Sequence, residues 1–180
     1  MDDQSSLESA INENIRLVPY DPGWPMLFKL EHDRLGSLFP EALLGVEHYG
    51  STAVRGLSAK PIVDILVGVA SMKAARAIVP RLCEAGYAAP TQYNAALPDR
   101  QWLMRSADGR RTHHLMVVVH RGEQWQRRLA FRDALRAELN IATSYEALKA
   151  SLAAQYTRDR DAYTAGKEAF INEVLATDAT

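Results

Sequence analysis

Apolar and polar positions change their rhythm several times along the chain, and each rhythm predicts an element. Two short runs, around 44–49 and 61–69, read as strands, the second ("PIVDILVGV") being apolar and β-branched. "MLFKLEHDRL" (26–35) has helical spacing, and a helix fits 71–86 with Gly86 as its stop. "AAPTQYNAAL" and "DRQWLMRSADGRRTHHLMVVVH" read as strands broken by turns, with "ADGR" as a hairpin loop and 113–119 as the clearest strand. From 122 onward the pattern is helical in three segments, "EQWQRRLAFRDALRAEL", "TSYEALKASLAAQY" and "DRDAYTAGKEAFINEVL", and Thr143 and Glu146 are spaced as a capping box for the middle one. No repeat or long linker interrupts this order. The expected fold is α+β: a single domain over 1–180, with a mixed, mostly antiparallel sheet and flanking helices in 14–120 and a helical C-terminal part in 121–176.

Composition narrows the class. With 180 residues, 47% apolar and 24% charged, the chain has the mix of an ordinary globular domain with a sizeable core. The single cysteine, Cys83, cannot form an internal disulfide and reads as a small buried hydrophobe in a reducing compartment. The start, "MDDQSSLESA", lacks the basic and apolar regions of a secretory signal, and no run approaches the roughly 20 apolar residues of a membrane span. A cytoplasmic protein without a membrane partner is expected.

Charge adds a direction. The net charge is −1, yet residues 1–64 carry five basic and ten acidic side chains, whereas 100–132 carry eight arginines against Asp108 and Glu123. Such two-sidedness attracts a small anion, for example a nucleotide, to one face. Nucleic acid is disfavoured as a partner, because the total is not basic and no basic strand interleaved with aromatics occurs. Trp24, Trp102 and Trp125 read as core or interface aromatics. His32, His48 and His120 have no partner evident from spacing.

The candidate chemistry lies in "EHYGSTAVRGLSAKPIVDILVGV", 47–69. In a strand, Ile62, Asp64 and Leu66 share one face and Val63, Ile65 and Val67 the other. A carboxylate in such a run must be hydrated, paired or bound to a cation, since burying it alone costs several kcal/mol. Gly50 lets the backbone approach a ligand, Ser51 offers a hydroxyl and an amide to a phosphate, and Lys60, held extended by Pro61, reaches a phosphate or Asp64. Two readings follow from these residues: a phosphate-handling site completed by a divalent ion, usually magnesium, or a structural turn with a salt bridge.

"GSTAVRGLSAKPIVDILV" resembles the signature of the GrpB family, also called UPF0157, a member of the nucleotidyltransferase superfamily with a polymerase-beta-like core. "VPYDPGWP", "RRTHHLMVV", "LAFRDALRA", "YEALKASLA" and "AYTAGKEAFI" are similar to further family blocks, in the same order over roughly residues 16–175. The resemblance implies that Gly50 and Ser51 hold nucleotide phosphates and that Asp64 is the first metal carboxylate, for magnesium, manganese or another divalent ion. The superfamily site also has a second acid two residues later and a third on a neighbouring strand. Here Leu66 takes the second position, and "HHLMVVV" offers histidines at the third. His114 shares a face with Met116 and Val118 and is the candidate to face Asp64, as a metal ligand or a proton-transfer group. Met116 stands where the family commonly has another histidine.

The helical tail supplies further candidates. Arg132 in "FRDALR" offers a guanidinium to a phosphate, and Tyr145 with Lys149 and Tyr163 with Lys167 are each spaced to share a helix face, either framing a nucleotide or packing as amphipathic surface. Two functions are expected: a metal-dependent nucleotidyltransferase acting on a nucleoside triphosphate, or a module that binds a nucleotide, CoA precursor or related small anionic metabolite without turnover. The second follows from relatives fused to dephospho-CoA kinase as accessory domains.

Overall fold

The computed structural model describes residues 14–177; the acidic start lies outside the described residues. Strands β1 (Gly45–Tyr49), β2 (Val63–Val69), β3 (Gln101–Ala107) and β4 (Arg110–Val119) form one sheet in the order β1-β2-β4-β3. β2 is antiparallel to β1 and parallel to β4, and β3 with β4 forms an antiparallel hairpin, giving the mixed sheet that the sequence predicts. The hairpin turns at "ADGR", where Asp108 and Gly109 both take positive φ, 51° and 72°, as a two-residue primed turn requires.

The helices are α1 (Trp24–Leu38), α2 (Met72–Glu84), α3 (Thr91–Ala95), α4 (Glu123–Ala137), α5 (Leu139–Gln155), α6 (Arg160–Ala165) and α7 (Glu168–Thr177). Period-two alternation divides the sheet between two layers. Ile65, Val67, Leu115 and Val117 pack with Leu35 of α1 and Ile78 and Leu82 of α2. Leu66, Met116 and Val118 point the other way, onto Trp125 of α4. A separate cluster of Val54, Leu57, Leu135 and Tyr145, with Phe131 and Phe170 against it, ties the segment after β1 to the C-terminal helices. On α1, Glu31 is 3% exposed and accepts from Arg34 and Arg105 at 2.6 Å each and from the Tyr87 hydroxyl. Removing one partner of such a buried charge costs about 3–5 kcal/mol, so this network fixes α1 to β3.

Four expectations need correction. Residues 88–97 are not a strand: Ala88 makes one isolated bridge to Met104, Pro90 has no N–H for a ladder, and α3 follows it. Asn94 of α3 instead clasps the Trp102 backbone, donating to its carbonyl and accepting from its amide, both at 2.8 Å. Thr143 is not a cap either. α5 begins at Leu139, so Thr143 lies inside it and donates to the Leu139 carbonyl at 2.8 Å, while Glu146 accepts from the Ser58 amide at 2.9 Å. The third helical segment splits into α6 and α7 at Gly166, where a Cβ would come within 2.6 Å of Leu152 Cδ2. Cys83 is exposed, because Ala75, Ile78 and Leu82 make the buried stripe of α2 and position 83 falls off it. Among the described residues no helix is long and apolar enough to cross a membrane.

Candidate functional site

The sheet register brings three predicted elements to one carboxylate. Tyr49, the last residue of β1, lies opposite Asp64, and Asp64 lies opposite His114 on the parallel partner β4. The chain leaving β1 therefore turns beside Asp64. Gly50 makes that turn with φ 71° and ψ −172°, a region essentially closed to other residues, and a Cβ on it would stand 2.5 Å from Asp64 Oδ2. Ser51 then begins a short 3₁₀ turn (Ser51–Ala53). From the other side, His114 Nδ1 lies 3.1 Å from Asp64 Oδ1, and its Nε2 lies 3.5 Å from Arg111 Nη1.

The C-terminal helices close over this row. Lys149 of α5, only 2% exposed, donates to Ser51 Oγ at 3.1 Å and to the Ser58 carbonyl. Its ammonium lies 5.1 Å from the Tyr145 ring centroid, and Lys167 lies 4.4 Å from that of Tyr163, so both predicted tyrosine-lysine pairs are physical neighbours. Lys60 approaches the same Tyr163 ring at 5.6 Å. Together these groups line a cleft of about 570 Å³ between the sheet and the C-terminal helices. Arg132 also lines it, but its guanidinium is engaged by Glu47 at 2.8 Å, the His48 carbonyl at 3.0 Å and Asp133 at 2.8 Å.

Electrostatics distinguish these groups. Burial alone would raise the Asp64 carboxyl, but the hydrogen bond with His114 and the charges of Lys60 and Lys167 hold it below its ordinary value. Burial lowers His114 despite the opposing pull of Asp64, consistent with a neutral imidazole donating from Nδ1. Burial, reinforced by Arg160 and Lys167, brings Lys60 down to about 7. Burial likewise brings Lys149 and Lys167 to about 8. Three amines crowded around one carboxylate lose protons readily unless a further anion joins them.

The site offers few donors to a divalent ion. Asp64 Oδ1 is bound by His114, leaving Oδ2, beside the Gly50 backbone, as the available carboxylate oxygen. Leu66 is fully buried in the core and Met116 lies in the same cluster, so neither position supplies another ligand. Among the described residues no three His, Cys, Asp or Glu side chains form a metal-holding group. The residues fit a single ion shared with ligand phosphates and do not fit a protein-built two-ion centre.

Several lining residues escape the sequence reading. Trp102, expected as a core or interface aromatic, lines the cleft with its ring 5.1 Å from His114, and Tyr49, Arg100 and Arg128 line it as well. Arg128 was one of eight arginines in a stretch without a spacing rule to single it out. His48 lies behind the Gly-Ser turn, bonded to Thr52 Oγ1 at 3.0 Å and stacked on Phe28 at 4.8 Å.

Comparison with known proteins agrees with this architecture. The family model described as "GrpB protein" matches residues 14–177. The chain is 36% identical to "Glutamate-rich protein GrpB" of Alkalihalophilus pseudofirmus, over 88% of this chain and 92% of that one. It is 34% identical to a dephospho-CoA kinase of Mycolicibacterium paratuberculosis over 88% of this chain, which spans 44% of that longer protein. A crystal structure of the conserved protein GrpB from Enterococcus faecalis superposes with a TM-score of 0.77 at 34% identity, covering 88% of this chain and 94% of that one. On these matches, and on the Gly50-Ser51 turn set against Asp64, the chain belongs to the GrpB family.

Proposed function

We propose that the cleft binds a nucleoside triphosphate through its phosphates and transfers the nucleotidyl group to an acceptor. One observation carries this reading: Lys60, Lys149 and Lys167, from three separate segments, converge with Ser51 on a cleft where lysines and arginines outnumber the carboxylates Asp64, Asp161 and Glu168. Their surplus positive charge is complementary to a polyphosphate. Gly50, without a side chain, lets phosphate oxygens approach the backbone, and Tyr145 and Tyr163 hold the lysines beneath them.

Asp64 would hold a divalent ion such as magnesium, whose chemistry there would be further neutralisation of phosphate charge. His114 is a positioning residue that fixes Asp64 by its Nδ1–H. During transfer the acceptor oxygen bonds to the α-phosphorus, the bond to pyrophosphate breaks, and the acceptor's proton passes to water. Lys149 and Lys167 hold the departing pyrophosphate.

The absence of acids at Leu66 and Met116 favours a second reading, in which the cleft binds a nucleotide or CoA precursor without turnover; the similarity to a dephospho-CoA kinase supports that ligand class. Thermal unfolding of the wild type and Asp64→Ala with ATP, CTP, GTP, UTP or dephospho-CoA, with and without magnesium or manganese, tests both. Metal-dependent stabilisation by a triphosphate, lost in Asp64→Ala, is expected, followed by release of labelled pyrophosphate when acceptors are supplied. Stabilisation without pyrophosphate release supports the binding-only reading. No response to any ligand at millimolar concentration refutes both.

A further inference from the structure

Beside Asp64 and His114 the cleft changes character. Tyr49 and Trp102 pack there against Leu66 and Met116, making an apolar aromatic floor. Tyr49 ends β1 beside the Gly-Ser turn and Trp102 is on β3 at the opposite edge, so this floor runs across the sheet from β1 to β3. Arg128 of α4 lies above it, its guanidinium carbon 5.7 Å from the Tyr49 ring centroid.

Arg128 is not ion-paired among the described residues, and its Nε is buried without a hydrogen-bond partner. Leaving such a donor unsatisfied costs about 1–3 kcal/mol, which a bound acceptor atom recovers. Nearby Arg100 is held by Asp99 at 3.1 Å, and Gln124 bonds the same aspartate at 2.6 Å, so that second arginine is already neutralised. Arg128 is therefore the anchor with charge to spare. The floor beneath it carries no charged side chain of its own.

We propose that this end of the cleft is the acceptor subsite, taking a small molecule with a planar apolar body on Tyr49 and Trp102 and an anionic group, carboxylate or phosphate, on Arg128. The inference rests on the transfer reading above for the name acceptor, and on the Arg128 end alone for the ligand chemistry. A molecule so held extends toward Asp64, since successive same-face residues of a strand are about 7 Å apart. Tyr49 lies directly opposite Asp64, so the reacting hydroxyl or amine of a molecule so held reaches the carboxylate.

The test uses full-length protein labelled with ¹⁵N at tryptophan, the Trp102 indole resonance being assigned with Trp102→Phe. Phenyl phosphate and benzoate are titrated as probes, with benzyl alcohol as the uncharged analogue. Saturable movement of the Trp102 signal by at least one anion is expected, with affinity reduced tenfold or more in Arg128→Gln and for benzyl alcohol. Whichever anion binds more tightly identifies the acceptor's charged group. Saturating ATP with magnesium is expected to leave the Trp102 titration in place. The proposal is overturned if neither anion moves Trp102, if benzyl alcohol binds as well as the anions, or if ATP displaces them. Should Arg128→Gln fail to fold, the comparison of anions with benzyl alcohol on the wild type decides alone. Should ATP fail to bind while the anions still reach Trp102, the nucleotide reading falls and the anion subsite stands.

Discussion

Replacing Gly50 by alanine separates two costs that meet at this one residue. The first is backbone: φ 71° with ψ −172° is a glycine conformation, and forcing another residue into it costs about 1–3 kcal/mol. The second is contact, because the new Cβ would lie 2.5 Å from Asp64 Oδ2 and 3.1 Å from both its Cβ and Cγ. Overpacking of this kind adds about 1–3 kcal/mol, so a total near 4 kcal/mol is expected. For a chain of this length that lowers Tm by about 8–16 °C. Gly56 supplies the control: its φ is +85°, yet a Cβ there meets nothing within 4 Å, so Gly56→Ala carries the backbone cost alone. Urea unfolding of Gly50→Ala, Gly56→Ala, Asp64→Ala and Gly50→Ala/Asp64→Ala completes the cycle, with a coupling of about 1 kcal/mol or more expected between positions 50 and 64. Equal losses at 50 and 56, together with zero coupling, would falsify the close approach of turn and carboxylate.

Two further outcomes follow from the same geometry. His48, pushed by burial down to about 4, stays neutral in the folded protein while its unfolded form takes a proton below about pH 6.5. Stability is therefore lost as pH falls from 6.5 toward 4, by on the order of 3 kcal/mol at the lower end; His48→Gln is expected to flatten that slope in urea titrations at pH 7, 6 and 5, and an unchanged slope refutes the assignment. Leu66→Asp places an acid two residues after Asp64, but the side chain is fully buried in the Leu66, Met116, Val118 and Trp125 cluster. A loss of about 3–5 kcal/mol in urea unfolding is expected, whereas a neutral effect would mean that the position is already hydrated.

The sheet and the heart of the site were legible because strand alternation is a strict rule. Once β2 and β4 are strands, Asp64 and Leu66 share a face, as do His114 and Met116, and the register joins the pairs. Helical spacing likewise gave the partnership of Tyr145 with Lys149 and of Tyr163 with Lys167. What spacing does not carry is which distant backbone a side chain meets. Lys149 satisfies Ser51 and Ser58, and Arg132 is spent on Glu47 and His48, through contacts made only by the tertiary fold. Local rules also failed where a distant partner was stronger. Glu146 looked like half of a capping box but is bound by the Ser58 amide, and Asn94 looked like strand material but serves the Trp102 backbone. Arg128 was hidden by repetition, since nothing in a run of arginines marks the one whose Nε will be buried.

The link between Lys149 and Ser51 spans 98 positions of chain, and this gives the site an order of birth. On a ribosome adding about 5–20 residues per second, the Gly-Ser turn emerges some 5–20 s before the lysine that completes it. During that interval the nascent sheet holds a carboxylate and a glycine turn but lacks the amines of α5 and of the chain after α6. The assembled cleft thus exists only after the chain through Lys167 has been made, and a polypeptide that stops before α5 leaves the turn without its cationic cover.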